Sequence, residues 1–361
     1  MGVVKKRHRS IRLAVSSILA AVACLVAACG TTTAPPPEPS GPLLAYRAAT
    51  EIGLVDGTTV VATAPGSFAP SSDPLATEDG RFVFARSSDG GVTVLDVAAR
   101  TSRAIAVPID SAIGTGGGST IVWWEQPNRL MQLDLADPTG QPALRQEIDL
   151  PRRAGASDAA LLTARNGTVV VARTESEPSP FGGPDTLYAV HGDAEPTSLG
   201  TADANTPVAS AVLSPDGSRL AYALYRRTSN SCGTAAVVVS GADGSQETYD
   251  VAAPNFVTGS QVLGVWWPDG KPMSLSLATW QCETESYYSP LTWQLGEGGL
   301  VEAQPRTVAL EVAEVVPGQR ALIVPKVGVA PESSGTLVIE DSGRRFPLGP
   351  PAVDAIAVVG P

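Results

Sequence analysis

The segment Leu213-Ser214-Pro215-Asp216-Gly217-Ser218-Arg219-Leu220-Ala221-Tyr222-Ala223 constrains this chain more than any other, because degraded copies of it recur along most of its length. An Asp-Gly pair makes a tight turn: the Asp carboxylate caps its own backbone, and Gly accepts a positive φ at no steric cost. The alternating apolar run behind the turn is a strand. Comparable turns stand at Glu78-Asp79-Gly80-Arg81 before Phe82-Val83-Phe84-Ala85, at Arg165-Asn166-Gly167 before Val169-Val170-Val171-Ala172, and at Pro268-Asp269-Gly270 before Met273-Ser274-Leu275. Two positions keep the strand with an altered turn: Gly118-Ser119-Thr120 before Ile121-Val122-Trp123-Trp124, and Pro317-Gly318-Gln319 before Ala321-Leu322-Ile323-Val324. A seventh strand, Leu43 to Arg47, lacks the turn.

Strand starts near residues 43, 81, 119, 167, 219, 274 and 320 give spacings of 38, 38, 48, 52, 55 and 46. That period suits four-stranded β-propeller blades, at roughly 40 to 50 residues each. A second and a third apolar run follow each such strand, as in Val92-Thr93-Val94-Leu95-Asp96 and Arg103-Ala104-Ile105-Ala106-Val107. With 36 Gly and 31 Pro breaking the chain, no long amphipathic helical stripe survives. The expected fold is all-β, a seven-bladed propeller, with six or eight blades as neighbouring counts and a β-sandwich as the competing architecture. The first unit lacks an inner strand, and Ala352 to Val359 has the length and pattern to supply it. That strand would close the ring and remove an open edge.

The N-terminus carries a different signal. Lys5, Lys6, Arg7, Arg9 and Arg12 precede the apolar run Leu13 to Val26, and Val26-Ala27-Ala28-Cys29-Gly30 follows. The run is short for a spanning helix, and this arrangement resembles a bacterial lipoprotein signal peptide with its lipobox. The resemblance implies cleavage before Cys29 and a diacylglycerol on its sulfur; an ordinary cleaved signal peptide and an uncleaved anchor are the alternatives. Residues 29–40 are small, polar and Pro-rich, which predicts an extended tether of roughly 3.1 Å per residue. The organisation read from sequence is thus a leader over 1–28, a lipidated tether over 29–40 and a propeller over 41–361, placed on the extracytoplasmic side of the cell membrane.

Removal of the leader leaves 20 basic residues against 36 acidic ones, a net charge of −16. Such acidity argues against nucleic acid as a partner, since phosphate recognition needs a basic face. Outside the leader and its lipobox the cysteines are Cys232 and Cys282, at equivalent positions after the Asp-Gly-initiated strands of adjacent units. A disulfide is expected in an oxidising compartment, and two sulfurs without a nearby His make a poor metal site. Catalytic groupings are scarce. His191 precedes the turn-like Gly192-Asp193, and no phosphate loop, H-E-x-x-H or nucleophile elbow occurs. Asp185 and Glu283 to Glu285 offer carboxylates, but not at the spacing of a calcium loop. No cofactor is predicted, and a structural calcium has no support in the spacing.

Ser214-Pro215-Asp216-Gly217 with Leu220-Ala221-Tyr222, and more loosely Trp267-Pro268-Asp269-Gly270, resemble the PD40-type blades of TolB-like propellers from exported bacterial proteins. TolB itself has an α/β domain ahead of its propeller and binds a peptidoglycan-associated partner, whereas here the tether leads straight to blades. The Ala, Val and Gly richness with a lipobox resembles actinobacterial lipoproteins. The resemblance implies a blade architecture and no particular ligand.

Two functions fit the residues. One is a non-catalytic binding or scaffold module for a protein, peptide or glycan of the cell envelope; the other is a propeller enzyme, a hydrolase, lyase or quinone-dependent dehydrogenase. Loop lengths point to a docking face. Connections from the second to the third strand are brief in the first three units and long at Thr174 to Asp185, Tyr225 to Gly233, Trp280 to Pro290 and Val327 to Gly335. The long ones carry Phe181, Tyr225, Arg226, Arg227, Trp280, Tyr287 and Tyr288, residue types that binding hot spots favour. Trp123, Trp124, Trp266 and Trp267 lie in or beside strands and read as packing between blades.

Overall fold

A computed structural model describes residues 41–229, 232–241, 244–251, 258–326, 332–350 and 352–360. The leader, Cys29, the tether and part of the Val327 to Gly335 connection lie outside the described residues. Seven antiparallel sheets form a ring, and no helix occurs among the described residues. The fold is a seven-bladed β-propeller. Blade 1 takes its inner strand, Val353–Val359, from the C-terminal end and continues with Leu43–Ala48, Glu51–Asp56 and Thr59–Pro65. Blades 3, 4, 5, 6 and 7 begin with inner strands Ile113–Thr115, Ala160–Arg165, Ala211–Leu213, Thr258–Trp266 and Glu311–Val316. In blade 2 the inner position is held by Ala76, bridged to Val83 beside the strands Phe82–Arg86, Val92–Asp96 and Thr101–Ile105.

The closing strand pairs along its length with the second strand of blade 1, from Leu43 opposite Val359 to Ala48 opposite Val353, with a bulge at Arg47/Ala48. Every blade is buried on both faces, which explains why its second strand reads as a continuous apolar run. Successive side chains point to opposite faces. Phe82 and Phe84 therefore pack toward blade 3, against Ile121, Trp123 and Met131, while Val83 and Ala85 pack toward blade 1, against Ile52 and Leu54. Trp123 and Trp124 split the same way, into the cores on either side of blade 3. The junction of blades 6 and 7 has the smallest buried core, built on Ala309, Leu322 and Val338.

The recurrent turn acquires a physical account. In Ser214-Pro215-Asp216-Gly217 the Gly217 amide donates to Ser214 O at 2.8 Å with φ at +71°, and Asp216 Oδ1 accepts from Ser214 Oγ at 2.6 Å and Ser218 N at 3.1 Å. These donors hold the Asp216 carboxyl down, at about 2. Thr77-Glu78-Asp79-Gly80 repeats the pattern, with Gly80 N to Thr77 O at 2.9 Å and Thr77 Oγ1 to Asp79 Oδ1 at 2.7 Å.

The same turns stitch one end of the ring together. Ser119 Oγ donates to Asp79 Oδ2. Asn166 N reaches Glu78 Oε1 at 2.7 Å, joining blade 4 to blade 2, and Arg165 pairs with Asp269 at 2.7 Å, joining blade 4 to blade 6. Bonds that skip a blade bridge the mouth at this end. At the opposite end each second strand turns into the third.

Candidate functional site

On that loop-bearing face, blades 5 and 6 stand above the rest. Their hairpin strands run nine residues at Arg219–Arg227 and Gly233–Gly241 and eight at Ser274–Gln281, against five or six in the second and third strands of blades 1 to 4 and 7. Because the turn end is fixed in the ring, about three extra residues raise a ridge by roughly 10 Å. This corrects the loop assignment: Tyr225, Arg226 and Arg227 are strand residues paired with Ala235, Thr234 and Gly233, and the connection begins only at Thr228. A longer ladder satisfies the backbone groups that an excursion of the same length would leave exposed. Cys232 and Cys282 are joined as a disulfide between these two blades, their Cα atoms 5.3 Å apart.

Most of the expected contact aromatics on the ridge pack against their own surroundings. Trp280 is buried, against its expected place on a docking face: it is a strand residue lying over Gly259, where a Cβ would come within 2.3 Å of the indole, and its ring centroid is 6.0 Å from that of Tyr287. A large ring over a cross-strand glycine covers backbone that nothing else would shield. Tyr225 covers Gly233 in the same manner, and burial raises its hydroxyl pKa. Arg226 pairs with Asp203 at 2.9 Å and Asp250 at 3.4 Å, and the Arg227 guanidinium lies 5.2 Å from the Phe181 ring centre. Tyr288 remains half-exposed. His191 lies at the other end of its blade, exposed, with Nδ1 3.0 Å from Thr168 Oγ1.

The short-loop half holds charges that the sequence reading passed over. Arg47 is fully buried, its Nη2 donating to Asp354 Oδ2 at 2.8 Å and to Ser71 O at 2.6 Å, and its Nε to Asp354 Oδ1 at 3.1 Å. Asp354 also accepts from Ser71 N at 3.2 Å. This latch ties the closing strand, blade 1 and the connection into blade 2. From blade 7, Glu311 Oε2 accepts from Ile356 N at 3.2 Å on the same closing strand. Desolvation pushes the Glu311 carboxyl up to about 8, with Arg47 opposing and Asp354 assisting the rise. A charge in the otherwise apolar run Leu43 to Ala48 was the sequence signal for this cluster.

Ser71 leads on into a pocket of about 380 Å³ lined by Ser71, Asp73, Arg86, Asp89 and Asp110, with Ala69 and Ile109 among its apolar walls. Asp73 is buried, its Oδ1 accepting from Ile113 N at 3.0 Å, and Arg86 Nε lies 3.6 Å from its Oδ2. Asp89 and Asp110 are exposed at the mouth. Among the described residues no three His, Cys, Asp or Glu side chains come together as metal ligands. Asp185, weighed above as a calcium ligand, has both oxygens engaged within the protein, by Thr174 Oγ1 at 3.1 Å and Val208 N at 2.9 Å.

No family model and no curated protein sequence matches this chain. Among solved structures, an oligogalacturonate lyase from Vibrio parahaemolyticus is similar at 11% identity, over 85% of this chain and 79% of that one, with a TM-score of 0.51. A dihydro-heme d1 dehydrogenase aligns at 17% identity over 89% and 77% of the two chains with a TM-score of 0.48, and a puromycin hydrolase at 14% over 78% and 50% with a TM-score of 0.43. At such identities the likeness is one of fold.

Proposed function

We propose that this protein is a lipid-anchored, extracytoplasmic binding module of the bacterial cell envelope, with the raised ridge of blades 5 and 6 as its docking surface for a protein, peptide or glycan. The observation that carries the reading is the Cys232–Cys282 disulfide between two elongated hairpins. A covalent link there holds a protruding surface in one shape before a partner arrives, which lowers the ordering cost of binding. Phe181 under Arg227, together with the half-exposed Tyr288, supplies the aromatic and guanidinium character of a contact patch. The lipobox Val26-Ala27-Ala28-Cys29 and the Pro-rich run after it support the anchor, with Cys29 as the lipid-bearing residue and residues 1–28 removed.

The test is crosslinking capture from intact cells with the anchored protein. Changing Phe181, Arg227 and Tyr288 to Ala is expected to abolish capture, while the same number of changes at exposed positions of blades 1 to 3 leaves it intact; equal loss on both halves, or none on either, removes the ridge from the reading. Changing Cys29 to Ala is expected to leave the chain unprocessed or released from the membrane, and unchanged detergent-phase partitioning with unchanged mass would refute the anchor. The enzyme reading is separated by turnover: loss of an envelope-polysaccharide or peptide signal on incubation with the purified chain favours it over a binder.

A further inference from the structure

The exposed apolar side chains of the propeller fall almost all at one end. Each inner strand runs from the loop-bearing face to the turn end, and each outer strand starts at the turn end. Among the described residues seven large hydrophobic side chains are exposed, and six of them sit in the turn-end half. Val316 is the last residue of the inner strand of blade 7, and Val358 the last but one of the inner strand of blade 1. Val60, Phe346 and Val301 stand second or third in the outer strands of blades 1, 7 and 6. Leu144, second in the outer strand of blade 3, is the sixth, and Tyr288 alone lies toward the loop-bearing end. Blades 6, 7 and 1 are neighbours in the ring, so five of the six share one sector. Exposed apolar residues scattered singly need no explanation, whereas a one-sided set marks a contact. Within that sector the outer strand of blade 7, Arg344–Pro347, is exposed at all four residues, as no other outer strand is among the described residues. Arg344 and Arg345 precede Phe346 there, and arginine lays its stem along an apolar boundary while its head stays in water.

The path of the chain supplies the occupant. Leu43 lies opposite Val359, at the turn end, so the tether expected over residues 29–40 joins the propeller there, on blade 1. Its twelve residues reach about 37 Å at roughly 3.1 Å per residue, and the loop-bearing face lies a further strand length away, roughly 20 Å. A lipid on Cys29 therefore brings the turn end to the bilayer first and holds it at high effective concentration, where weak contacts suffice. The net charge of −16 left after removal of the leader draws no help from anionic headgroups, which leaves apolar burial as the attraction. We infer that the turn-end rim of blades 6, 7 and 1, carrying Val301, Phe346 and Val60, rests on the lipid surface that holds the anchor and turns the ridge of blades 5 and 6 away from it. The inference rests on the anchor reading.

The experiment is hydroxyl-radical footprinting, read by mass spectrometry, of the full chain inserted by its anchor into phosphatidylcholine vesicles, before and after cutting at a protease site placed between Pro39 and Ser40. Phe346 is expected to be oxidised several-fold more slowly while the propeller is anchored, and Tyr288 equally in both states. Val60→Ser with Val301→Ser changes two exposed positions and is expected to weaken the protection of Phe346. Phe346 equally reactive before and after the cut, Tyr288 protected as strongly as Phe346, or protection unchanged in the double variant overturns the inference. Protection that survives the cut and fades on dilution makes a second copy of the chain the occupant and overturns it as well. Flotation separates the two readings: a chain that floats with the vesicles but leaves Phe346 reactive keeps its anchor and loses this contact, and a chain that does not float loses both.

Discussion

The two halves of the loop-bearing face treat polar groups in opposite ways. On the ridge of blades 5 and 6, Arg226 is claimed by Asp203 and Asp250, Arg227 covers Phe181, and Trp280 lies over Gly259, so the side chains fix one another on a surface that stands proud. Over blades 1 and 2 the surface is low, and the charges go inward. Arg47 and Asp354 lock the ring, while buried Asp73 accepts from Ile113 N and pairs with Arg86 beside a cavity. Elongated strands thus raise one part of the face, and brief connections leave the other low. The contrast shows that strand elongation, more than the length of a connection, marks where this propeller protrudes: blade 4 has a long connection but six-residue strands, and it does not rise with blades 5 and 6.

Removing Ala352 to Pro361 tests the contrast most severely, because it takes away the closing strand and Asp354 together. The expected result is loss of the cooperative thermal transition followed by circular dichroism, since the second strand of blade 1 becomes an open edge. A truncated chain that melts like the full one would show that the low half does not hold the ring. Next in size is Arg47→Leu, which leaves Asp354 buried without its partner and is expected to cost about 3–5 kcal/mol in urea unfolding. On the ridge, the Cys232→Ser, Cys282→Ser pair opens a loop of 50 residues and is expected to cost about 2–4 kcal/mol. A loss there equal to that of Arg47→Leu would erase the distinction between a ring-locking half and a shape-holding half.

The last test is one of pH. Glu311 has its carboxyl raised from 4.5 to about 8 in the folded protein, so between those values the folded state keeps a proton that the unfolded chain has released. Its contribution is complete below about pH 4.5 and is lost as pH rises through about 8. Urea midpoints are therefore expected to fall from pH 5 to pH 8, and Glu311→Gln to flatten that slope. An unchanged slope in the variant would place the pH sensitivity elsewhere and detach Glu311 from the latch.

Much of the fold was legible in the chain. The recurrent turns, with the spacing of the strands behind them, pointed to seven blades and to the strand order, since a turn that needs a positive φ and a carboxylate cap can be written only in a few residue types, and Gly217 and Gly80 take up that φ at +71° and +67°. The unmatched apolar segment Ala352 to Val359 foretold closure, and the split of Trp123 from Trp124 followed from period-two alternation. Less of the site was legible. Tyr225 and Trp280 read as surface aromatics because nothing local reveals that Gly233 and Gly259 lie beneath them, and Asp73 and Asp110 are ordinary loop residues until the ring brings their connections side by side.

The sequence by itself determined local geometry and periodic burial, which depend on neighbours within a few positions. Tertiary structure alone decided which charges meet. Arg47 and Asp354 lie 307 residues apart, and Asp73 meets Ile113 across a blade boundary, with a separation of 40. The fate of a polar group turns on whether a partner reaches it within about 3 Å. In a closed ring of stacked sheets, that is settled by how the blades assemble.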